Sequence, residues 1–165
     1  DLGNLYRNTE NFDKYITAHK KSEEIALLIK DYTIVSILDG NWGAFYRNRG
    51  EWDSATYFFT KAIDNSRKSG YRKYIGSSFN GLAEVYRHQG RFKESRQFLD
   101  SAIRANEEQA NRTEMAYSYT LLAKLFNELN HPDSAIYFSR KGIITARATA
   151  RAVSISSSYT GMAEI

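Results

Sequence analysis

The stretch "AFYRNRGEWDSA", residues 44–55, returns along the chain at a fixed interval of 40 residues. Residues 84–95 read "EVYRHQGRFKES", and residues 4–15 read "NLYRNTENFDKY". Each copy carries a tyrosine followed by an arginine, then a predicted turn, then an aromatic side chain. An interval this regular, without insertions, indicates a repeat architecture in which each unit packs against the next.

Further positions follow the same interval. Small residues recur at Gly3, Gly43, Ala83, Ala123 and Ala163. Aromatic residues follow three positions after most of them, at Tyr6, Tyr46, Tyr86 and Phe126. The predicted turns fall at Glu10, Gly50, Gly90 and Asn130. The match between "FNGLAEV" at 79–85 and "YTGMAEI" at 159–165 extends the pattern into a fifth unit. The predicted units span about 1–30, 31–70, 71–110, 111–150 and, in part, 151–165.

The spacing inside a unit is helical. Leu82, Val85 and Tyr86 lie at i, i+3 and i+4, so their side chains share one face of a helix. Gly50 and Gly90 can adopt the left-handed conformation that ends a helix, and asparagine is the next best residue there. Each unit is therefore predicted to be two antiparallel helices. Stacked units predict an all-α fold over residues 1–165, a single α-solenoid that forms part of a longer array.

The combination of a bulky residue, a small residue, x-x-Tyr, a turn and Ala-x-x-x-Phe resembles the tetratricopeptide repeat. Ala55 and Phe59 supply the last part. The leading aromatic position of the family is occupied by Phe79, Tyr119 and Tyr159. Departures from the family pattern are Asp39 at that leading position, Tyr15 with His19, and Ser139. The proline between units is also missing, and 40 residues exceed the usual 34.

Composition restricts the classes of function. The chain has 42% hydrophobic and 25% charged residues, as soluble globular proteins do. Its net charge of +4 does not amount to the block of basic residues that is typical of nucleic-acid binders. The longest apolar stretch is too short for membrane insertion. There is no cysteine, and the three histidines fall in different units without a second histidine at i+3 or i+4. We therefore expect no enzyme, no metal and no cofactor. The compartment, cytoplasm or periplasm, stays open.

The resemblance implies a concave face lined by the first helix of each unit. Carried over onto this sequence, the candidate peptide-binding residues are Asn4, Arg7, Asn8, Arg47, Asn48, Asn80, Glu84, Arg87, His88, Tyr117, Lys124 and Asn127. Arg7, Arg47 and Arg87 would form a ladder that suits carboxylates, which predicts an acidic peptide ligand. The alternative is that each arginine pairs with an acidic residue of its own or a neighbouring unit, such as Glu84.

The resemblance implies a protein or peptide partner for a non-catalytic binding module. The 40-residue unit looks most like the sensory regions of bacterial signalling and transcriptional regulatory proteins, so a sensory or scaffolding role is expected. One alternative is nucleic-acid binding through the arginines and tyrosines of the concave face. Another is structural self-association, as a homodimer through uncapped repeat ends. The family's carboxylate clamp is not expected, because Ser77 and Gly81 occupy two of its basic positions.

Overall fold

A computed structural model describes residues 9–162, and side-chain surroundings within 14–149 except at Tyr15. In order, these residues form the helices α1 Thr9–Leu28, α2 Tyr32–Asn48, α3 Trp52–Ser69, α4 Ile75–His88, α5 Phe92–Glu108, α6 Arg112–Glu128 and α7 Pro132–Met162. Each helix packs against its neighbours in the chain. In addition, α2 packs against α4 and α4 against α6, so the first helices of successive units form one row. The predicted all-α solenoid is confirmed.

The turns within units occur where the sequence predicts them. Gly50, Gly90 and Asn130 have φ values of 75°, 73° and 62°, in the left-handed region that glycine and asparagine favour. The junctions between units use the same conformation at Gly70 with φ 72° and at Ala110 with φ 50°. The Ala110 turn has no sequence signal, because alanine carries a Cβ that disfavours this region.

Two helices run through predicted boundaries. The turn predicted at Glu10 is wrong, because α1 begins at Thr9 and continues past it. Glutamate is a good helix former and has no preference for the left-handed region. The helix α7 likewise continues through residue 151 to Met162, and residues 143–160 contain no glycine or proline to interrupt it. The fifth unit stays a prediction, and its residues 163–165 lie outside the described residues.

Small residues allow close packing around one aromatic ring. Phe59 of α3 is buried against Gly43 of α2 and Gly81 of α4. A Cβ at Gly43 would lie 2.6 Å from Phe59 Cδ1, and a Cβ at Gly81 would lie 2.3 Å from Phe59 Cζ. Neither distance leaves room for a methyl group. One unit later the larger Ala83 and Leu121 pack around the smaller Leu99 in a single buried cluster.

Asp39, which departs from the family pattern, lies in a buried cluster of charges. Its side chain is fully buried, and its Oδ1 lies 3.1 Å from Lys61 Nζ. Asn65 Nδ2 donates a 2.8 Å hydrogen bond to Asp39 Oδ2, and Glu23 Oε1 lies 3.5 Å from the same lysine. Burial raises the pKa of Asp39, against the opposing effects of Asn65 and Lys61. The equivalent position in the next two units carries an aromatic residue, Phe79 or Tyr119.

Across the part of the chain that the structure describes, no helix has both the length and the apolarity needed to span a bilayer.

Candidate functional site

A groove of about 410 Å³ lies along the row of first helices, and we call it the concave groove. Its lining comes chiefly from α2, α4 and the beginning of α6, with one residue from α3. This row exists because the helix pairs stack in register every 40 residues. The predicted location of the concave face, along the first helices, therefore coincides with a real depression.

The floor of the concave groove lacks large side chains. Gly40 and Ala44 of α2 and Gly81 of α4 line it, and the edge of the Phe59 ring, which is 3% exposed, borders it beneath them. A Cβ at Gly40 would lie 3.9 Å from Ser78 Oγ and 4.0 Å from Ala62 Cβ, at ordinary contact distance, so a methyl group fits here without strain. The floor is thus an apolar surface that a ligand side chain can contact.

The walls combine apolar and polar groups. Ile37 and the rings of Tyr74 and Tyr117 form the apolar part, and each tyrosine is 39% exposed. Asn41 and Ser77 also line the groove with side chains that can donate and accept hydrogen bonds. A mixture of a few polar groups with apolar walls is typical of peptide and small-molecule sites.

Both described arginines of the predicted ladder are paired. Arg47 Nη1 lies 2.5 Å from Glu84 Oε2, and Arg87 pairs with Glu128 of the next unit. Tyr117 Oη donates a 3.1 Å hydrogen bond to the same Glu84 oxygen. The alternative that the sequence left open, pairing between neighbouring units, is therefore the arrangement in the structure.

The surroundings of Tyr117 restrict its ionisation. Burial and the negative charge of Glu84 raise the pKa of Tyr117 to about 12, although Arg47 opposes this. The phenol therefore stays protonated at physiological pH and remains a hydrogen-bond donor. Arg47, Glu84 and Tyr117 form a connected polar group at the rim of the concave groove.

Seven of the remaining predicted site residues divide into three groups. Asn48 accepts a 3.2 Å hydrogen bond from Arg47 Nη2, and His88 lies 2.9 Å from Arg87 Nη2 while stacking on Trp52. Lys124 and Asn127 are exposed further along α6, away from the groove lining. Asn4, Arg7 and Asn8 lie outside the described residues.

The prediction that Asn80 belongs to the peptide-binding face is wrong. Its side chain is only 1% exposed, so it cannot present a surface to a ligand. Ser118 Oγ donates a 2.8 Å hydrogen bond to Asn80 Oδ1, and Asn80 Nδ2 donates a 3.3 Å hydrogen bond to Glu114 Oε2. Asn80 thus joins α4 to α6 beneath the groove. Its position one turn from Glu84 placed it near the face, but the close approach of α6 covers it.

Three groove residues lack a clear signal in the sequence. Phe59 belongs to the second helix of its unit, and it reaches the groove only because Gly81 has no side chain. Tyr74 and Glu114 occupy equivalent positions 40 residues apart, at the beginnings of α4 and α6. The offset between successive helices turns both toward the groove. Tyr74 and Glu114 could have been found by comparing the residues that begin the first helix of each unit.

The recurring aromatic residues of the first helices serve packing. Tyr46, Tyr86 and Phe126 each stack nearly parallel on a phenylalanine of the second helix, with ring centroids 5.2–5.3 Å apart. These partners are Phe58, Phe98 and Phe138. Rings engaged on one face by the core offer little for stacking nucleic-acid bases.

The sequence of this chain matches the tetratricopeptide repeat pattern over residues 33–108 and again over 74–143, more than half of its length. The chain belongs to the tetratricopeptide repeat family. Tetratricopeptide repeat domains are protein-interaction or scaffolding modules and are typically non-catalytic. No curated protein matches the sequence.

Two solved structures resemble this tetratricopeptide repeat chain. The TPR domain of Arabidopsis FLU is 16% identical, with a TM-score of 0.64, and the alignment covers 71% of this chain and 98% of that one. BtubC (BKLC) from P. vanneervenii is 12% identical, with a TM-score of 0.70, and the alignment covers 90% of this chain and 62% of that one. At these identities the likeness establishes the fold alone.

Proposed function

We propose that this tetratricopeptide repeat domain binds a segment of a protein partner in the concave groove. The observation that carries the proposal is the open floor over Phe59, bordered by Gly40, Ala44 and Gly81 and continuous across two units. An extended peptide can place one side chain on this floor while Asn41 and Ser77 serve its backbone. Burial of that side chain would supply most of the affinity.

The finer expectations from the sequence remain proposals. A sensory or scaffolding role in a larger regulatory protein is consistent with a preformed groove that needs no catalytic group. The acidic ligand that the sequence predicts would approach Arg47 and Arg87 along the row. Such a ligand would have to compete with Glu84 and Glu128 for these guanidinium groups.

The proposal is tested with peptides selected from a random 12-residue phage-displayed library against the immobilised domain. A selected peptide is then titrated by fluorescence anisotropy into wild type and into Gly40→Phe. A Cβ at Gly40 would lie at ordinary contact distance from Ser78 Oγ and Ala62 Cβ, so it fits without displacing the backbone, and the larger ring is chosen to fill the groove that Gly40 lines. We expect wild type to bind and Gly40→Phe to lose at least about tenfold in affinity, or about 1.4 kcal/mol.

The matched control is Gln97→Phe, on an exposed position of α5 where the neighbouring units carry Tyr57 and Tyr137. This variant should bind as wild type does. Failure to select any peptide, or equal binding by Gly40→Phe, would contradict the proposal.

A further inference from the structure

We infer that the concave groove accepts a cationic side chain, a lysine or arginine of the bound peptide, with its charged end at Glu114. This inference rests on the proposed function and specifies the ligand of the same site. It reverses the sign of charge that the sequence predicts for the ligand.

The first argument is the balance of charge in the groove lining. Of the residues that line the groove, Arg47 carries a positive charge and Glu114 a negative one, and the lining contains no other aspartate, glutamate, lysine or arginine. Arg47 is already neutralised by Glu84 at 2.5 Å. Within the described residues, no lysine, arginine or histidine nitrogen lies within 4.0 Å of the Glu114 carboxylate. The groove therefore carries one negative charge that lacks a partner.

The second argument is the hydrogen bonding of Glu114. Oε2 accepts a long hydrogen bond of 3.3 Å from Asn80 Nδ2, whereas no hydrogen bond to Oε1 occurs among the described residues. A carboxylate has about four acceptor positions, so most of its capacity is left for a ligand. Glu114 also lies in the first turn of α6, where its charge is favourable for the helix dipole. That position does not supply a hydrogen-bond donor to Oε1.

The third argument is the shape of the groove. Lysine and arginine have an apolar stem and a charged end, and they bury the stem while the end reaches a polar group. The floor over Phe59, Gly40 and Gly81 suits the stem. The half-exposed rings of Tyr74 and Tyr117 can stabilise the charge through cation–π contact. An acidic side chain on the same floor would be repelled by Glu114, and Arg47, the one cation among the lining residues, is already paired with Glu84.

The position of the charge is particular to this unit. The residues equivalent to Glu114 in the two preceding units are Tyr74 and Ile34, neither of them acidic. The repeat pattern itself therefore does not require a carboxylate here. A charge placed on an open groove wall without a cationic partner is better explained by a ligand.

The test uses the selected peptides of the preceding section. We expect lysine or arginine to be enriched at one position among groove-dependent peptides. Replacing that arginine by citrulline, its uncharged analogue, should weaken binding to wild type about tenfold. Glu114→Gln keeps the shape of the side chain and removes its charge, so it should weaken binding of the arginine peptide by a similar factor and leave binding of the citrulline peptide unchanged.

Glu107→Gln, at an exposed position on α5, is the matched control and should bind the arginine peptide as wild type does. Equal melting temperatures of both variants and wild type exclude a folding defect as the cause. Groove-dependent peptides with acidic or uncharged anchors, or an unchanged affinity in Glu114→Gln, would overturn this inference and leave the proposed function intact. If no peptide depends on Gly40, both proposals fail.

Discussion

Replacing Gly81 by alanine should destabilise the domain, although helix propensity alone predicts the opposite. Gly81 lies in the middle of α4, where alanine is favoured over glycine by about 1 kcal/mol. The new Cβ would lie 2.3 Å from Phe59 Cζ, whereas carbon atoms in contact are about 3.5–4.0 Å apart. The ring cannot retreat, because Gly43 of α2 lies against its other edge.

Overpacking of this kind costs about 1–3 kcal/mol. After the gain in helix propensity, we expect Gly81→Ala to lower the free energy of unfolding by about 1 kcal/mol. That change corresponds to a fall in melting temperature of about 2–4 °C for a domain of this size. Gly40→Ala is the matched control, since its Cβ would lie at ordinary contact distance, 3.9 Å from Ser78 Oγ, and it should instead stabilise by about 0.5–1 kcal/mol.

The assay is urea denaturation followed by circular dichroism at 222 nm, with thermal melting as a second probe. An increase in stability of Gly81→Ala equal to that of Gly40→Ala would refute the packing argument. A further check is Gly81→Ala combined with Phe59→Leu, which imitates the next unit, where Leu99 packs beside Ala83 and Leu121. The double variant should be more stable than the sum of the single changes predicts, by about 1 kcal/mol or more.

Three further changes follow from burial, charge and backbone geometry. Lys61→Met should lower the free energy of unfolding at pH 7 by about 2–3 kcal/mol, because it leaves the buried carboxylate of Asp39 without a cation. The pKa of Asp39 is raised, so the folded state binds more protons than the unfolded state, and urea denaturation at pH 5 should show a smaller loss of stability. A larger loss at pH 5 than at pH 7 would contradict the argument. Ala110→Gly should raise the melting temperature through a gain of about 0.5–1 kcal/mol, because it relieves a left-handed alanine at φ 50°, and a fall would show that no strain exists there. Ile63→Ala should lower the free energy of unfolding in urea by about 2–4 kcal/mol, and Ile143→Ala should lower it by less than about 1 kcal/mol, because these equivalent residues are 5% and 50% exposed. Equal losses would mean that the face of α7 is covered in solution.

The sequence predicts the helix pairs well because their signals are local and repeated. Gly50 and Gly90 end helices through backbone freedom that belongs to glycine alone, so a turn at each follows from residue type. The same reasoning failed at Glu10, where the repeat interval suggested a turn that the residue itself does not favour. Ala110 shows the reverse case, in which the stacking of neighbouring helices imposes a conformation that alanine disfavours.

The groove was predictable in position but not in chemistry. Arg47 lies on the groove side as the family resemblance implies, yet only the packing of α4 beside α2 shows that Glu84 neutralises it. Asn80 is one turn from Glu84 and was predicted to be accessible, but α6 covers it. Phe59 enters the groove through the absence of a side chain at Gly81, a relation between three helices that no single stretch of sequence contains.

The most direct test of the account is to locate a bound peptide on the domain by nuclear magnetic resonance. A selected peptide is titrated into the isotope-labelled protein, and shifts of the backbone amide signals are followed. The account predicts the largest shifts at Gly40, Ala44, Ser77, Gly81 and Tyr117, on the three first helices that line the groove. Shifts concentrated on the exposed faces of α3, α5 and α7, with these five residues unmoved, would contradict it.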